Sequence, residues 1–180
     1  MGIERLYFGC GTLDYHAQGY KNVDVRRFQH VDYVCDVSKR LPFVTDSIHE
    51  ILAESILEHI PHGLMNGCMD GISHLNTIKV LCEWRRVLKP GCVCIIKVPN
   101  LYGVIQAFNK KQMPPSGFWM LLYGGQDYQE NTHCSGFYPE TLKDVMQYAG
   151  FRNVRLCNAH SHDDPLDEET AWEMTAIGVK

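Results

Sequence analysis

The apolar positions of this chain fall into short runs without a helical period, separated by polar turns. Leu6-Tyr7-Phe8 is the first such run, and consecutive apolar residues of this kind predict a strand buried on both faces. Residues 21–25 and 33–37 predict a second and a third strand, and residues 48–53 a fourth that ends at Glu54-Ser55. Residues 92–98 are the most apolar run and predict a central strand. Helical spacing appears at Leu75, Ile78, Leu81, Trp84 and Leu88, with Lys89-Pro90-Gly91 as the stop signal. One helical turn is predicted over 56–60, stopped by Pro61, and an irregular stretch over 63–71. Helical pieces are predicted over 101–109 and 117–123, and a further helix from Pro139 to Ala149-Gly150. Residues 151–157 and 172–179 predict two final strands, antiparallel to one another, joined by an acidic loop over 160–169. Strands alternating with helices predict an α/β fold with a mostly parallel sheet.

Chemistry concentrates at the ends of the early strands. Leu6-Tyr7-Phe8 breaks at Gly9-Cys10-Gly11, where two residues without a Cβ can turn sharply and expose bare backbone to a ligand. Val23-Asp24-Val25 and Val34-Cys35-Asp36-Val37 each place an acid at the next strand ends, on the same edge of the sheet. A glycine turn followed by two such acids points to a nucleoside-like ligand at the carboxyl ends of the strands. The segment between Gly11 and Lys21 is polar and aperiodic, and predicts a loop or at most one helical turn. The long connection from Asn100 to Gly136 is read as a substrate-side insertion within one domain spanning residues 1–180.

Composition narrows the classes. Hydrophobic residues at 45% and charged residues at 21% over 180 residues describe an ordinary globular chain with room for a core. A net charge of -4 gives no electrostatic attraction to nucleic acid or to an anionic membrane, so neither is an expected partner. With no apolar signal core at the start and no run long enough to span a bilayer, the expected location is cytoplasmic. Eight cysteines without a CxxC pair are read as reduced core thiols. His160-Ser161-His162-Asp163-Asp164 carries imidazoles and carboxylates but lacks a third anchored ligand, and no metal site is predicted there or elsewhere.

Taken together, these stretches resemble a class I S-adenosylmethionine-dependent methyltransferase, of the small type 11-like group. The resemblance covers nearly the whole chain and rests on Leu6–Gly11, Asn22-Val23-Asp24, Cys35-Asp36-Val37, Leu41-Pro42-Phe43 and Ile56-Leu57-Glu58-His59-Ile60. It continues through Glu83-Trp84-Arg85-Arg86-Val87-Leu88-Lys89-Pro90-Gly91, Val98-Pro99-Asn100 and Ala149-Gly150-Phe151. It implies a three-layer Rossmann-like fold with a seven-stranded, mostly parallel sheet and an antiparallel last strand. It implies S-adenosylmethionine as cofactor and S-adenosylhomocysteine as product. By the same resemblance Asp24 with Val25 would take the ribose diol, and Asp36 with Val37 the adenine. Gly9, Cys10, Gly11, Glu54 and Ser55 would take the amino-acid half.

The acceptor implied is a small-molecule or glycan-type hydroxyl. An oxygen nucleophile can call on a general base, for which His59 and His133 are the candidates. The alternatives are a histidine facing the sheet edge beside an exposed Glu58, and a surface-loop histidine. Tyr102, Gln126 and Tyr128 are candidates for the acceptor pocket, and residues 118–123 for packing or a subunit contact in a homodimer. Two departures stand out. Only fifteen positions separate Gly9 from Asp24, too few for turn, helix and strand, and no N-terminal helical lid is present. They keep a second reading open, a non-catalytic module that binds the donor or its product. A nicotinamide-dependent oxidoreductase is disfavoured by the missing GxGxxG.

Overall fold

The structure is a computed structural model that describes residues 4–62, 74–167 and 171–180, so the predicted irregular stretch lies outside the described residues. Among the described residues there are eight strands: β1 (Arg5–Phe8), β2 (Lys21–Asp24), β3 (Tyr33–Val34), β4 (Ile48–Glu54), β5 (Leu88–Pro99), β6 (Arg152–Asn158), β7 (Ser161–Pro165) and β8 (Glu173–Val179). They form one sheet in the order β3-β2-β1-β4-β5-β8-β6-β7. The first five pair in parallel, while β8 lies antiparallel between β5 and β6. The mostly parallel sheet with an antiparallel last strand is as the sequence predicts.

The eighth strand is an addition to the expected seven. β7 arises inside the predicted acidic loop and pairs antiparallel with β6. Its sequence, Ser-His-Asp-Asp-Pro, carries no apolar alternation, because an edge strand draws its support from the backbone of its neighbour. At the opposite edge β3 is shorter than predicted and ends at Val34. Asp36 Oδ1 accepts the Ser38 amide at 2.8 Å and its hydroxyl at 2.6 Å, a side-chain-closed turn that diverts the chain from the ladder.

One face of the sheet is covered by helices α1 (Leu75–Val87) and α4 (Pro139–Tyr148). Their apolar sides join β1, β4, β5 and β8 in the main core, where Trp84 meets the Phe8 ring edge-on at 5.2 Å. The predicted stop at Lys89-Pro90-Gly91 comes too late. Leu88 is already extended, fully buried and paired with Ile48, so burial in the sheet draws the chain out of the helix first.

The other face is thinner. Tyr7, Tyr20, Leu52, Ile95 and Ile177 form a smaller cluster under Tyr15. Between β1 and β2 a single 3₁₀ turn, His16–Gln18, buries none of its residues. The expected loss of the first helix is therefore visible as a thin third layer. Beyond β5, helices α2 (Leu101–Asn109) and α3 (Pro115–Tyr123) make a hairpin around Val104, Ala107 and Met113. Asn100 caps α2 by accepting the Tyr102 amide at 3.2 Å. Among the described residues, no helix is long and apolar enough to cross a membrane.

The cysteines need a correction. Cys10, Cys94 and Cys157 are buried thiols, but Cys82 and Cys134 are exposed rather than part of the core. Cys82 sits on the solvent side of α1 and Cys134 in the loop that leads to α4, positions whose neighbours in sequence disguise their exposure.

Candidate functional site

The site is built on the turn after β1. The amides of Gly9 and Cys10 both donate to the Val23 carbonyl, at 2.9 and 3.2 Å, which ties the turn to β2. Gly9 and Gly11 adopt φ of 68° and 55°, the left-handed region that glycine enters freely. A Cβ on Gly9 would also stand 2.8–3.0 Å from Ile56, so the turn is closed against the segment after β4.

The Asp24 side chain lies beneath this turn. Its Oδ2 accepts the Gly11 amide at 2.8 Å and its Oδ1 the Arg26 amide at 2.8 Å. A carboxylate offers about four lone-pair positions; Oδ1 also accepts Arg26 Nε at 3.4 Å, so the unspent capacity is on Oδ2. Beside it opens a cavity of about 310 Å³. It sits where the chain leaves β1 for β2 on one side and β4 takes the other, the crevice in which open α/β sheets bind ligands.

Most of the predicted residues converge here. Gly9, Gly11, Asp24, Val25, Asp36 and Val37 line this cavity, with Ser55 and His59 closing its far wall. Cys10 and Glu54 line an adjoining space of about 480 Å³ that shares Gly9, Gly11 and Ser55 with the first. Asp36 is exposed and spends Oδ1 on its own turn, leaving Oδ2 to face outward. Val37 is fixed from behind, where the Trp84 indole donates to its carbonyl at 2.9 Å. Burial pushes the Cys10 thiol up to about 12, so it forms a neutral wall. Glu54 accepts hydroxyl bonds from Tyr15 at 2.8 Å and Tyr7 at 3.2 Å, whose rings stack at 3.9 Å. Ser55 is held at φ 50° with its amide on the Lys97 carbonyl, a strained conformation at the mouth of the site.

Sequence reasoning missed Arg26, Ser38, Ile56 and Glu130, all of which line the first cavity. Arg26 carried a usable signal, a cation directly after the acid-bearing strand end. Its guanidinium lies 4.0 Å over the Tyr128 ring and 4.9 Å over Phe28, a cation–π stack that draws the 100–136 connection across the cavity. Tyr128 therefore covers the predicted site, whereas Gln126 lines a separate space beside Trp119.

Around His59 lies a group of three, the buried Glu58 and the half-buried His59 and His133. His59 and His133 meet edge-on with ring centroids 4.7 Å apart. His59 Nδ1 is 3.1 Å from the Thr132 carbonyl and His133 Nδ1 is 3.0 Å from the Leu121 carbonyl. A carbonyl only accepts, so each Nδ1 carries the proton and each Nε2 a lone pair. Burial holds both imidazoles below their usual range. Glu58, for which the sequence offered an exposed acid as the alternative, is 1% exposed, and neither carboxyl oxygen has a hydrogen-bond partner among the described residues. Burial pushes its carboxyl up to about 8. The cause of the discrepancy is local: the 3₁₀ turn Leu57–His59 points Glu58 inward while its carbonyl accepts the amides of Cys134 and Ser135, at 2.8 and 2.9 Å.

No protein-family model and no curated protein sequence matches the chain. Solved structures do. A S-adenosylmethionine-dependent methyltransferase from Archaeoglobus fulgidus aligns over 99% of this chain and 87% of its own, with a TM-score of 0.61 and 18% identity. A possible histamine N-methyltransferase from Thermotoga maritima aligns over 100% and 83%, again at 0.61 and 18%. A methyltransferase from Methanosarcina mazei aligns over 98% and 92%, at 0.58 and 14%. The fold is that of the class I S-adenosylmethionine-dependent methyltransferases.

Proposed function

We propose that the chain is a methyltransferase that takes its methyl group from S-adenosylmethionine, with a small-molecule or glycan-type hydroxyl as acceptor. The observation that carries this reading is the Asp24 carboxylate, locked beneath the glycine turn beside the cavity with an acceptor position unspent on Oδ2. That oxygen, together with Oδ1 once its long Arg26 Nε contact is given up, suits the two hydroxyls of a ribose. The adenine would lie between Val25 and Val37, with Asp36 accepting from its amine, and the amino-acid tail would run over Gly9-Cys10-Gly11 toward Glu54 and Ser55. A neighbour of the same fold, the methyltransferase CalH, has been crystallised with S-adenosylhomocysteine; it is 18% identical, with a TM-score of 0.55.

Methyl transfer is an in-line displacement in which the sulfonium becomes a thioether, the acceptor gains the methyl group, and its proton is released. Positioning the two partners therefore supplies much of the rate. His59 stands on the cavity wall with His133 beside it, and either would serve as the base for an acceptor bound there. Tyr128, stacked under Arg26, would serve as a cover over the donor cavity.

The thin layer over residues 12–20 favours one competing reading, a module that binds the donor without turning it over. Calorimetry with S-adenosylhomocysteine and a methyl-transfer assay against pooled hydroxyl acceptors separate the two. Asp24→Ala is expected to weaken binding of S-adenosylhomocysteine by at least about tenfold, the loss of a charge-assisted hydrogen bond. Unchanged affinity in a folded Asp24→Ala protein would end the donor-binding reading.

A further inference from the structure

We propose that Glu58, His59 and His133 form a binding site for one divalent transition-metal ion, of the zinc or ferrous type. One potential ligand atom from each residue lies within 4.8 Å of those of the other two. Around a metal with bonds of about 2.0–2.1 Å the ligand atoms stand ~3.4 Å apart, so the site closes by small side-chain movements.

Three features point to an ion rather than to a chance cluster. Glu58 is 1% exposed, yet both its carboxyl oxygens lack any partner among the described residues, an arrangement that native interiors rarely leave unanswered. Both imidazoles are anchored through Nδ1–H to backbone carbonyls, at Thr132 and Leu121. That second-shell pattern fixes the ring and presents the Nε2 lone pair to a metal. The elements are also tied together, since the Glu58 carbonyl accepts from Cys134 and Ser135 on the strand of chain that carries His133.

Two imidazoles and one carboxylate suit zinc, iron(II), manganese or cobalt, whereas magnesium and calcium prefer oxygen donors throughout. Three protein ligands leave at least one coordination position open. His59 lines the donor cavity, and His133 lines a neighbouring space of about 430 Å³ with Tyr138 and Ser135. An ion between them would face both, so the open position is suited to a water or to an oxygen of the acceptor, held next to the donor. That last role rests on the methyl-transfer reading above; the ion site does not.

Cobalt(II) is the probe, because its visible absorption reports inner-sphere ligands. Metal-free protein titrated with cobalt(II) is expected to develop the band at one ion per chain, and zinc is expected to displace it. Glu58→Gln, which keeps the shape of the side chain, and His133→Ala are each expected to weaken cobalt binding by about 100-fold. His160→Ala, at an exposed histidine that is not one of the three ligands, is expected to bind as the unaltered chain does. A wild-type protein without the band, or folded Glu58→Gln and His133→Ala proteins that bind cobalt as tightly as wild type, would overturn the proposal. Parallel calorimetry with S-adenosylhomocysteine keeps the two readings apart. Donor binding without cobalt binding removes only the metal site, and cobalt binding without donor binding sustains the site while removing the methyl-transfer role.

Discussion

Gly9 shows how a single position joins stability to the site. It is held at φ 68° and its missing Cβ leaves room for Ile56, whose nearest carbons stand 2.8–3.0 Å from where that atom would be. Alanine there meets both left-handed strain and a clash, and about 2 kcal/mol of destabilisation is expected in urea unfolding. Gly11 has a similar φ but open space, its imaginary Cβ touching only Arg26 at 3.6 Å, so Gly11→Ala is expected to cost less. Trp84 acts from the opposite side. Its indole N–H is satisfied by the Val37 carbonyl inside the core, so Trp84→Phe leaves a buried carbonyl unpaired, at a cost of about 1–3 kcal/mol. Because Val37 walls the donor cavity, affinity for S-adenosylhomocysteine is expected to fall as well, which calorimetry on the folded variant checks. Residues such as these were legible by type alone. Glycine and an acid announce themselves in sequence, whereas the inward turn of Glu58 does not, because an acid beside a histidine looks the same whether it faces solvent or a core.

Among the elements, the connection from Asn100 to Gly136 carries the most consequence. Its two helices were legible in sequence, α2 over its full observed length, because the apolar spacing that makes them pack also marks them. What they do is set by contacts far away in sequence. The Arg26–Tyr128 stack holds the polar end of this connection over the glycine turn, and hydrogen bonds from Cys134 and Ser135 to Glu58 fasten its exit. Tyr128→Ala removes the stack while leaving the core untouched. Its global stability is expected to stay within about 0.5 kcal/mol of wild type, while release of S-adenosylhomocysteine becomes faster. Stopped-flow displacement measures the second effect, and an unchanged release rate would show that the stack does not act as a cover. β7 is the counterpart at the far edge, an element invisible in sequence because ladder pairing with β6 leaves no mark on residue type.

At the scale of the whole molecule, acid sensitivity is set at the joints between segments. His74, at the start of α1, places Nδ1 2.8 Å from His62 Nδ1 and buries Nε2 without a partner among the described residues. Burial and the neighbouring His62 hold its pKa down to about 4, against an ordinary value of 6.5. Below about pH 6.5 the unfolded chain therefore binds a proton that the folded chain refuses, and stability falls as the pH drops toward 4. Glu83, held low by Arg86, extends the loss further, since its stabilisation is present above its ordinary 4.5 and disappears as the pH falls through its folded value. Glu58, whose carboxyl is raised to about 8, works in the opposite sense between 8 and 4.5. The His74 part is therefore read as a difference: in thermal melts His74→Leu should gain melting temperature relative to wild type as the pH falls from 6.5 toward 4.

The amino-acid sequence by itself determined the alternation of strands and helices, the parallel sheet with its reversed final strand, the glycine turn and the two acids beside it. Those features are local, since burial of a strand on two faces writes itself into consecutive apolar residues, and a turn requires glycine where the backbone enters the left-handed region. Only the tertiary structure decided which residues share the cavity. Arg26 reaching Tyr128, Val37 pinned by Trp84, and Glu58-His59 brought against His133 all join positions dozens of residues apart. Such pairings depend on packing distance and on which polar groups lose their water, and neither quantity is carried by the order of residues along the chain.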